Sequence, residues 1–193
     1  LPVAGDELQE LRGAFEAGEF REGEGTRLEV AGFEDHYIHT IVENAGSPAR
    51  PVRVAVDCGN AVPGPLAIRL MEALGVDVVP LHCDWDSSFP NHPPDPTRPS
   101  NMVDLAAAVV DNGCEFGIGM DGDGDRIGVV DEAGRFIPPD RLMAILARDV
   151  LSNLPENATE DERAVYFDVK CSMALEEAIV DSGGVPRMVR TGH

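Results

Sequence analysis

Residues 52–81 read VRVAVDCGNAVPGPLAIRLMEALGVDVVPL. The apolar run 52–56 ends in Asp57-Cys58-Gly59-Asn60, the pattern of a buried strand entering a turn. Residues 65–74 form a helical stretch that ends at Gly75, the usual residue for closing a helix. Residues 76–81 form the next strand. Strand, helix and strand within thirty residues make one β-α-β unit, and such units build parallel sheets.

The alternation continues outward from this unit. Upstream, residues 6–20 predict an amphipathic helix, with Leu8, Leu11 and Phe15 on one face and Asp6 as its N-cap. Residues 19–26 are a linker rich in Gly and Glu, and residues 33–44 are a second helix stopped by Gly46 and Pro48. Downstream, a long loop over residues 84–100 carries prolines at 90, 93, 94, 96 and 99. A helix is expected over 101–112, with strands over 115–120 and 126–130 and a turn at Asp131-Glu132-Ala133-Gly134. A helix over 140–151, an acidic loop over 155–163, a strand over 164–168, a helix over 173–181 and a strand over 185–189 complete the reading. The fold class is α/β: mainly parallel, mixed sheets with helices on their faces, one complete domain plus part of a second similar one. The composition change near residues 133–139 marks the seam. In open α/β sheets ligands gather at the carboxyl ends of strands, so the strand exits at 57–60, 121–126, 168–171 and 190–193 are the candidate sites.

Composition narrows the partners. The 193 residues include 35 acidic and 15 basic side chains, a net charge of −20, and 43% are hydrophobic. That apolar fraction is enough for a packed core. An acidic chain has no basic face for nucleic acid or an anionic membrane, and no apolar run is long enough to span a bilayer. The acids are spread over the whole length, as on a solvated surface, and adaptation to high salt is the second reading of that excess. Cys58, Cys83, Cys114 and Cys171 contain no Cys-x-x-Cys pair and read as small core residues, which fits a reducing cytoplasm.

One segment carries chemistry: Met120-Asp121-Gly122-Asp123-Gly124-Asp125-Arg126. In an extended strand, residues two apart lie about 6.6 Å apart, too far for three carboxylates to share a cation bound at about 2.1 Å. The segment must therefore curl, and Gly122 and Gly124 are expected to supply the backbone freedom. Crowded carboxylates repel and hold their protons unless a cation sits among them, and hard oxygen ligands select Mg²⁺ or Ca²⁺. A solvated acidic turn is the plainer alternative. An EF-hand loop also starts Asp-x-Asp-x-Asp and would close at Glu132, but its sixth position needs Gly and is Arg126, and its flanks read as strands.

The loop closely resembles the metal loop of the α-D-phosphohexomutases, in the phosphomannomutase/phosphoglucomutase branch. Val56-Asp57-Cys58-Gly59-Asn60, Phe89-Pro90-Asn91-His92, Pro94-Asp95-Pro96, Pro139-Asp140-Arg141, Phe167-Asp168-Val169-Lys170-Cys171 and Thr191-Gly192-His193 resemble further family segments, in the family's order. The resemblance implies a Mg²⁺-dependent isomerase of carbohydrate metabolism. Such enzymes interconvert hexose 1-phosphate and hexose 6-phosphate through a phosphoserine and a hexose 1,6-bisphosphate. It further implies that residues 1–27 are the tail of a first domain and a linker. Residues 28–136 would be a second domain with the metal loop, and residues 137–193 the N-terminal part of a third. On this reading the chain is a fragment whose partners are a phosphosugar and the remaining domains. No Thr-x-Ser-His-Asn-Pro phosphoserine string occurs in it, so it is expected to be inactive alone.

By the same resemblance Asp121, Asp123 and Asp125 are metal ligands, and Arg126, Lys170 and His193 are catalytic and substrate-binding residues. Arg126 could equally form an ion pair within the loop, and Lys170, the single lysine, could be an ordinary surface residue. His36 and His39 lack the four-residue spacing of a helical metal pair, and His82 and His92 read as structural. A non-catalytic calcium-binding or phosphosugar-binding module is the alternative to the mutase.

Overall fold

The computed structural model describes residue 3 and residues 5–191. It divides into two units, residues 1–32 with 191–193 and residues 33–190. The first holds helix α1 (Asp6–Ala17). Asp6 is not its N-cap: Gly5 takes that place at φ 59°, and Asp6 joins Glu7 in the first turn, where a negative charge meets the helix dipole favourably. The helix stops short of residue 20 because Gly18 turns left-handed at φ 69°. Its expected apolar face, Leu8, Leu11 and Phe15, is exposed.

The second unit opens with α2 (Phe33–Ala45), followed by β1 (Arg53–Asp57), α3 (Gly64–Ala73) and β2 (Asp77–Leu81). A single turn of 3₁₀ helix (Pro99–Met102) leads into α4 (Val103–Asn112), then β3 (Phe116–Met120), β4 (Ile127–Asp131) and β5 (Phe136–Ile137). The chain continues through α5 (Pro139–Ser152), β6 (Ala164–Phe167), α6 (Met173–Asp181) and β7 (Val185–Met188). The first sheet has the order β2-β1-β3-β4-β5, and β6 pairs with β7 in a second. β1 runs parallel to β2 and β3, and β6 parallel to β7, whereas β3–β4 and β4–β5 are antiparallel. The mixed, mainly parallel α/β architecture read from the sequence is the one observed.

The β4–β5 hairpin was not expected, because Phe136 and Ile137 are too short a run to register as a strand. Its turn is organised by Asp131, whose Oδ1 accepts the N–H groups of Ala133 (3.0 Å) and Arg135 (2.9 Å) while Arg135 Nε bonds Oδ2 at 2.8 Å. The Arg135 amide, with the guanidinium and the Ala133 amide, holds the Asp131 carboxyl below its ordinary pKa. A depressed carboxyl contributes stability above its unfolded pKa of about 4 and loses it as the pH falls through the lower folded value. Asp131→Asn is accordingly expected to lower Tm at pH 7 and to flatten the dependence of Tm on pH between 4 and 2. A wild-type slope in the variant would show that the turn is held by other groups.

Two crossover helices fill the core of the first sheet. On one face Val54, Val56 and Cys58 pack with Ala67 of α3; on the other, Leu105 and Val109 of α4 lie on Ala55 and Val130. Gly117 permits that second contact, since a Cβ there would stand 2.7 Å from Val109 Cγ2 and 2.8 Å from Leu105 Cδ1. α5 and α6 bury Ala144, Ala147, Leu151, Leu175, Ala178 and Ile179 around Phe167 of β6.

Candidate functional site

In the order β2-β1-β3 the chain crosses from β1 through α3 to β2 on one side, then from β2 through α4 to β3 on the other. The first connection leaves the carboxyl end of β1 and the second that of β2, and it is outside the carboxyl ends of strands that ligands bind in open α/β sheets. Asp57 and Gly119 are register partners, which brings the exit of β1 alongside the loop that follows β3.

That loop is the acidic segment. Its two ends are pinned by an antiparallel pair of strands, with Asp121 N–H bonded to Arg126 O at 3.2 Å and Gly124 N–H to Asp121 O at 3.3 Å. Gly124 makes the bend at φ 77°, and a Cβ there would also press on Pro63 at 3.2 Å. Gly122, expected to share this task, has no positive φ. The curl brings one carboxylate oxygen from each of Asp121, Asp123 and Asp125 within 4.8 Å of the others. Strands rather than helices flank the loop, and Glu132 lies beyond β4, so the EF-hand alternative fails.

Arg126 belongs to the loop rather than to the following strand. Its N–H donates to Asp121 Oδ1 (3.0 Å), and its Nε (2.8 Å) and Nη2 (2.7 Å) grip Oδ2, with Asp125 Oδ1 3.4 Å from Nε. This is the ion pair that the sequence left open. Burial opposes ionisation of Asp121, but the amide and guanidinium of Arg126 outweigh it and hold the carboxyl below its usual range. Asp125 moves the other way: desolvation, the charge of Asp123 and the proximity of Asp121 raise its pKa. The general upward push expected from crowding therefore falls on Asp125, because Arg126 neutralises Asp121.

The donor set fits a hard divalent cation. All three groups offer oxygen, two of the carboxylates are exposed to receive it, and the raised pKa of Asp125 marks the charge a cation would relieve. Beside the loop, Val62, Trp85, Phe89 and Gly122 line an apolar concavity of about 270 Å³.

Lys170 stands just past β6, in the segment after the second sheet's first strand. Its Nζ lies 3.2 Å from Asp168 Oδ2 and its N–H donates to Asp168 Oδ1 at 2.9 Å. Among the described residues, no hydrogen bond or ion pair joins it to the acidic loop. His193 lies outside the described residues.

A second polar cluster escaped the sequence reading. His92 Nε2 is 2.9 Å from Asp57 Oδ2, and His82 completes a group of three potential ligands. These residues are 25 and 35 positions from Asp57, so no local spacing announces them; the only signal is an Asp at a strand exit facing a proline-rich loop that contains a histidine.

Comparison with known proteins agrees with this architecture. Residues 35–134 match the family model for phosphoglucomutase/phosphomannomutase, alpha/beta/alpha domain II, and residues 138–193 match that for domain III. A Pseudomonas aeruginosa phosphomannomutase/phosphoglucomutase is 41% identical over 191 residues, covering 99% of this chain and 40% of the relative. A Neisseria gonorrhoeae phosphoglucomutase is 38% identical, with 99% and 40% covered. The crystal structure of a phosphoglucomutase/phosphomannomutase family protein from Burkholderia thailandensis superposes with a TM-score of 0.86 at 39% identity, over 99% of this chain and 40% of that one. The chain thus spans about 40% of the length of these relatives. Strands around a bent acidic loop, two consecutive family domains and this degree of identity lead to one conclusion: the chain belongs to the phosphoglucomutase/phosphomannomutase family.

Proposed function

We propose that the complete protein is a Mg²⁺-dependent phosphohexomutase that interconverts hexose 1-phosphate and hexose 6-phosphate through a phosphoserine and a hexose 1,6-bisphosphate. The observation that supports this reading best is the gathering of Asp121, Asp123 and Asp125 at the rim of the sheet, in a chain of this family. These three residues would hold Mg²⁺, which when bound neutralises charge on a phosphoryl oxygen. The protein's own part is positional. Asp121 is buried and takes both the amide and the guanidinium of Arg126, so it fixes the bend and aims Arg126. The Arg126 side chain is still half exposed and has the fork geometry that grips phosphate oxygens.

Lys170 and His193 are the remaining members of the proposed catalytic and substrate-binding set. Lys170, charged and solvent-accessible beside Asp168, is suited to a phosphate or sugar hydroxyl, and His193 to proton transfer near neutral pH. Residues 1–27 are assigned to the tail of the first domain and a linker, residues 28–136 to the second domain and residues 137–193 to the start of the third. The family matches at 35–134 and 138–193 support this division. The four cysteines are free, which suits a cytoplasmic protein, and no helix among the described residues is long and apolar enough to cross a membrane.

The test is an assay of the complete protein with mannose or glucose 1-phosphate, Mg²⁺ and a catalytic trace of the bisphosphate. Formation of the 6-phosphate, abolished by chelation and restored by Mg²⁺, is expected. The 193-residue chain alone should form none. A complete protein that binds the phosphosugar without isomerising it would replace the mutase with the phosphosugar-binding alternative.

A further inference from the structure

Asp57, the last residue of β1, is 2% exposed, and two imidazoles converge on it. His82 follows β2 and His92 lies in the proline-rich loop, and their rings meet edge to face with centroids 5.4 Å apart. One ligand atom from each of the three residues lies within 4.8 Å of the others.

Hydrogen-bond accounting shows what this arrangement lacks. His92 Nδ1 is 3.0 Å from the carbonyl of Pro93, which only accepts, so a hydrogen on Nδ1 satisfies that contact. Asp57 Oδ1 already accepts the amide of Gly59 at 2.9 Å. His92 Nε2 then faces Asp57 Oδ2 at 2.9 Å. In a neutral imidazole with its hydrogen on Nδ1, that contact sets a nitrogen lone pair against a carboxylate oxygen. One N–H cannot serve both acceptors, and a positive centre between Nε2 and Oδ2, either a second proton or a metal cation held by both atoms, completes the set. On the far side His82 Nε2 lies 3.4 Å from Asp104 Oδ2 at the start of α4, a second carboxylate at the mouth of the cluster.

The donor types decide between hard and borderline cations. Two imidazoles and a carboxylate suit Zn²⁺ and its neighbours, not Mg²⁺, and a metal-bound histidine ordinarily donates its other ring N–H to a carbonyl, as His92 does to Pro93. Donors on one tetrahedral zinc stand about 3.3 Å apart, so a small rotation of partly exposed His82 would close the set.

We propose that Asp57, His82 and His92 form a second metal site, for a divalent ion of the zinc class, separate from the all-oxygen acidic loop. Bound there, the ion staples the proline-rich loop to the exits of β1 and β2. Pro94, two residues past His92, packs on Gly59 and faces Gly122, so the staple also braces the floor of the acidic loop. This inference stands whether or not the mutase reading does.

The test uses the complete protein carrying Asp123→Asn and Asp125→Asn, which silences the acidic loop, titrated with Co²⁺ and then Zn²⁺. Expected are a ligand-field spectrum of a site containing nitrogen donors, displacement by Zn²⁺ but not by excess Mg²⁺, and a higher Tm with Zn²⁺. His82→Gln, at the edge of the cluster, and His92→Gln should each weaken binding by at least about 100-fold. The His82 variant should keep the far-UV circular dichroism of its parent. Unchanged Co²⁺ binding in both histidine variants would overturn the proposal. So would a His92 ring that remains doubly protonated by ¹⁵N NMR at saturating Zn²⁺, which would identify the cluster as an imidazolium–carboxylate pair.

Discussion

Asp123→Asn in the complete protein is expected to lower kcat by about 100- to 1,000-fold, the usual cost of removing one group that stabilises charge in a transition state. Asp123 is the informative member of the three. Asp121 is buried and holds Arg126 and the bend, so its replacement would mix a folding defect with a binding defect. Asp123 is exposed, and a substitution at such a position away from structural contacts changes stability by only about 0.5 kcal/mol. Mg²⁺ affinity measured by titration should fall together with kcat. A second readout follows from Asp125, whose pKa is raised by desolvation and then by the charge of Asp123. Removing that charge should lower the Asp125 pKa, visible by NMR in the metal-free protein. An Asp123 variant with native Mg²⁺ affinity and native kcat would remove this carboxylate from the metal site.

Gly64→Ala is expected to cost about 3 kcal/mol or more, at the upper end for overpacking, and to lower Tm by roughly 6–12 °C. Gly64 begins α3, and a Cβ there would be driven into the Cys83 carbonyl group, with its carbon 2.7 Å and the Cys83 Cα 2.9 Å away. These are backbone atoms, so no rotamer change relieves the collision; α3 would have to lift from the end of β2. Cys83 follows His82, and the displaced segment would carry the exit of β2 with it. Gly117→Ala is the milder comparison, because the atoms it meets at 2.7–2.8 Å belong to the side chains of Val109, Leu105 and Val130. Equal melting temperatures for the two variants would refute this distinction between backbone and side-chain crowding.

The order of elements was legible because each unit from β1 to β7, apart from β5, announces itself locally. Apolar runs end in Asp or Gly turns, and Gly75 and Gly113 close α3 and α4 in left-handed conformations. Boundaries drifted where a side chain bonds its own backbone. Asp121 captures the Arg126 amide and Asp168 the Lys170 amide, which pulls Arg126 and Asp168 out of the strands that their sequence context suggested. β5 was missed because two residues carry no periodicity, and the Asp131 turn that creates it works through hydrogen bonds rather than apolar pattern.

The sequence by itself determined the α/β class, the family and the acidic loop, since alternating strand and helix signals and three Asp residues spaced by glycines are local features. Which oxygens converge, and which carboxylate Arg126 neutralises, was decided only by the tertiary structure, through the strand pair that closes the loop. The same holds for the Asp57, His82 and His92 cluster. Its members are far apart in the chain and meet only because β1 and β2 are neighbours and the proline-rich loop folds back across their ends, so the physical cause is sheet order, which no local pattern of residues encodes.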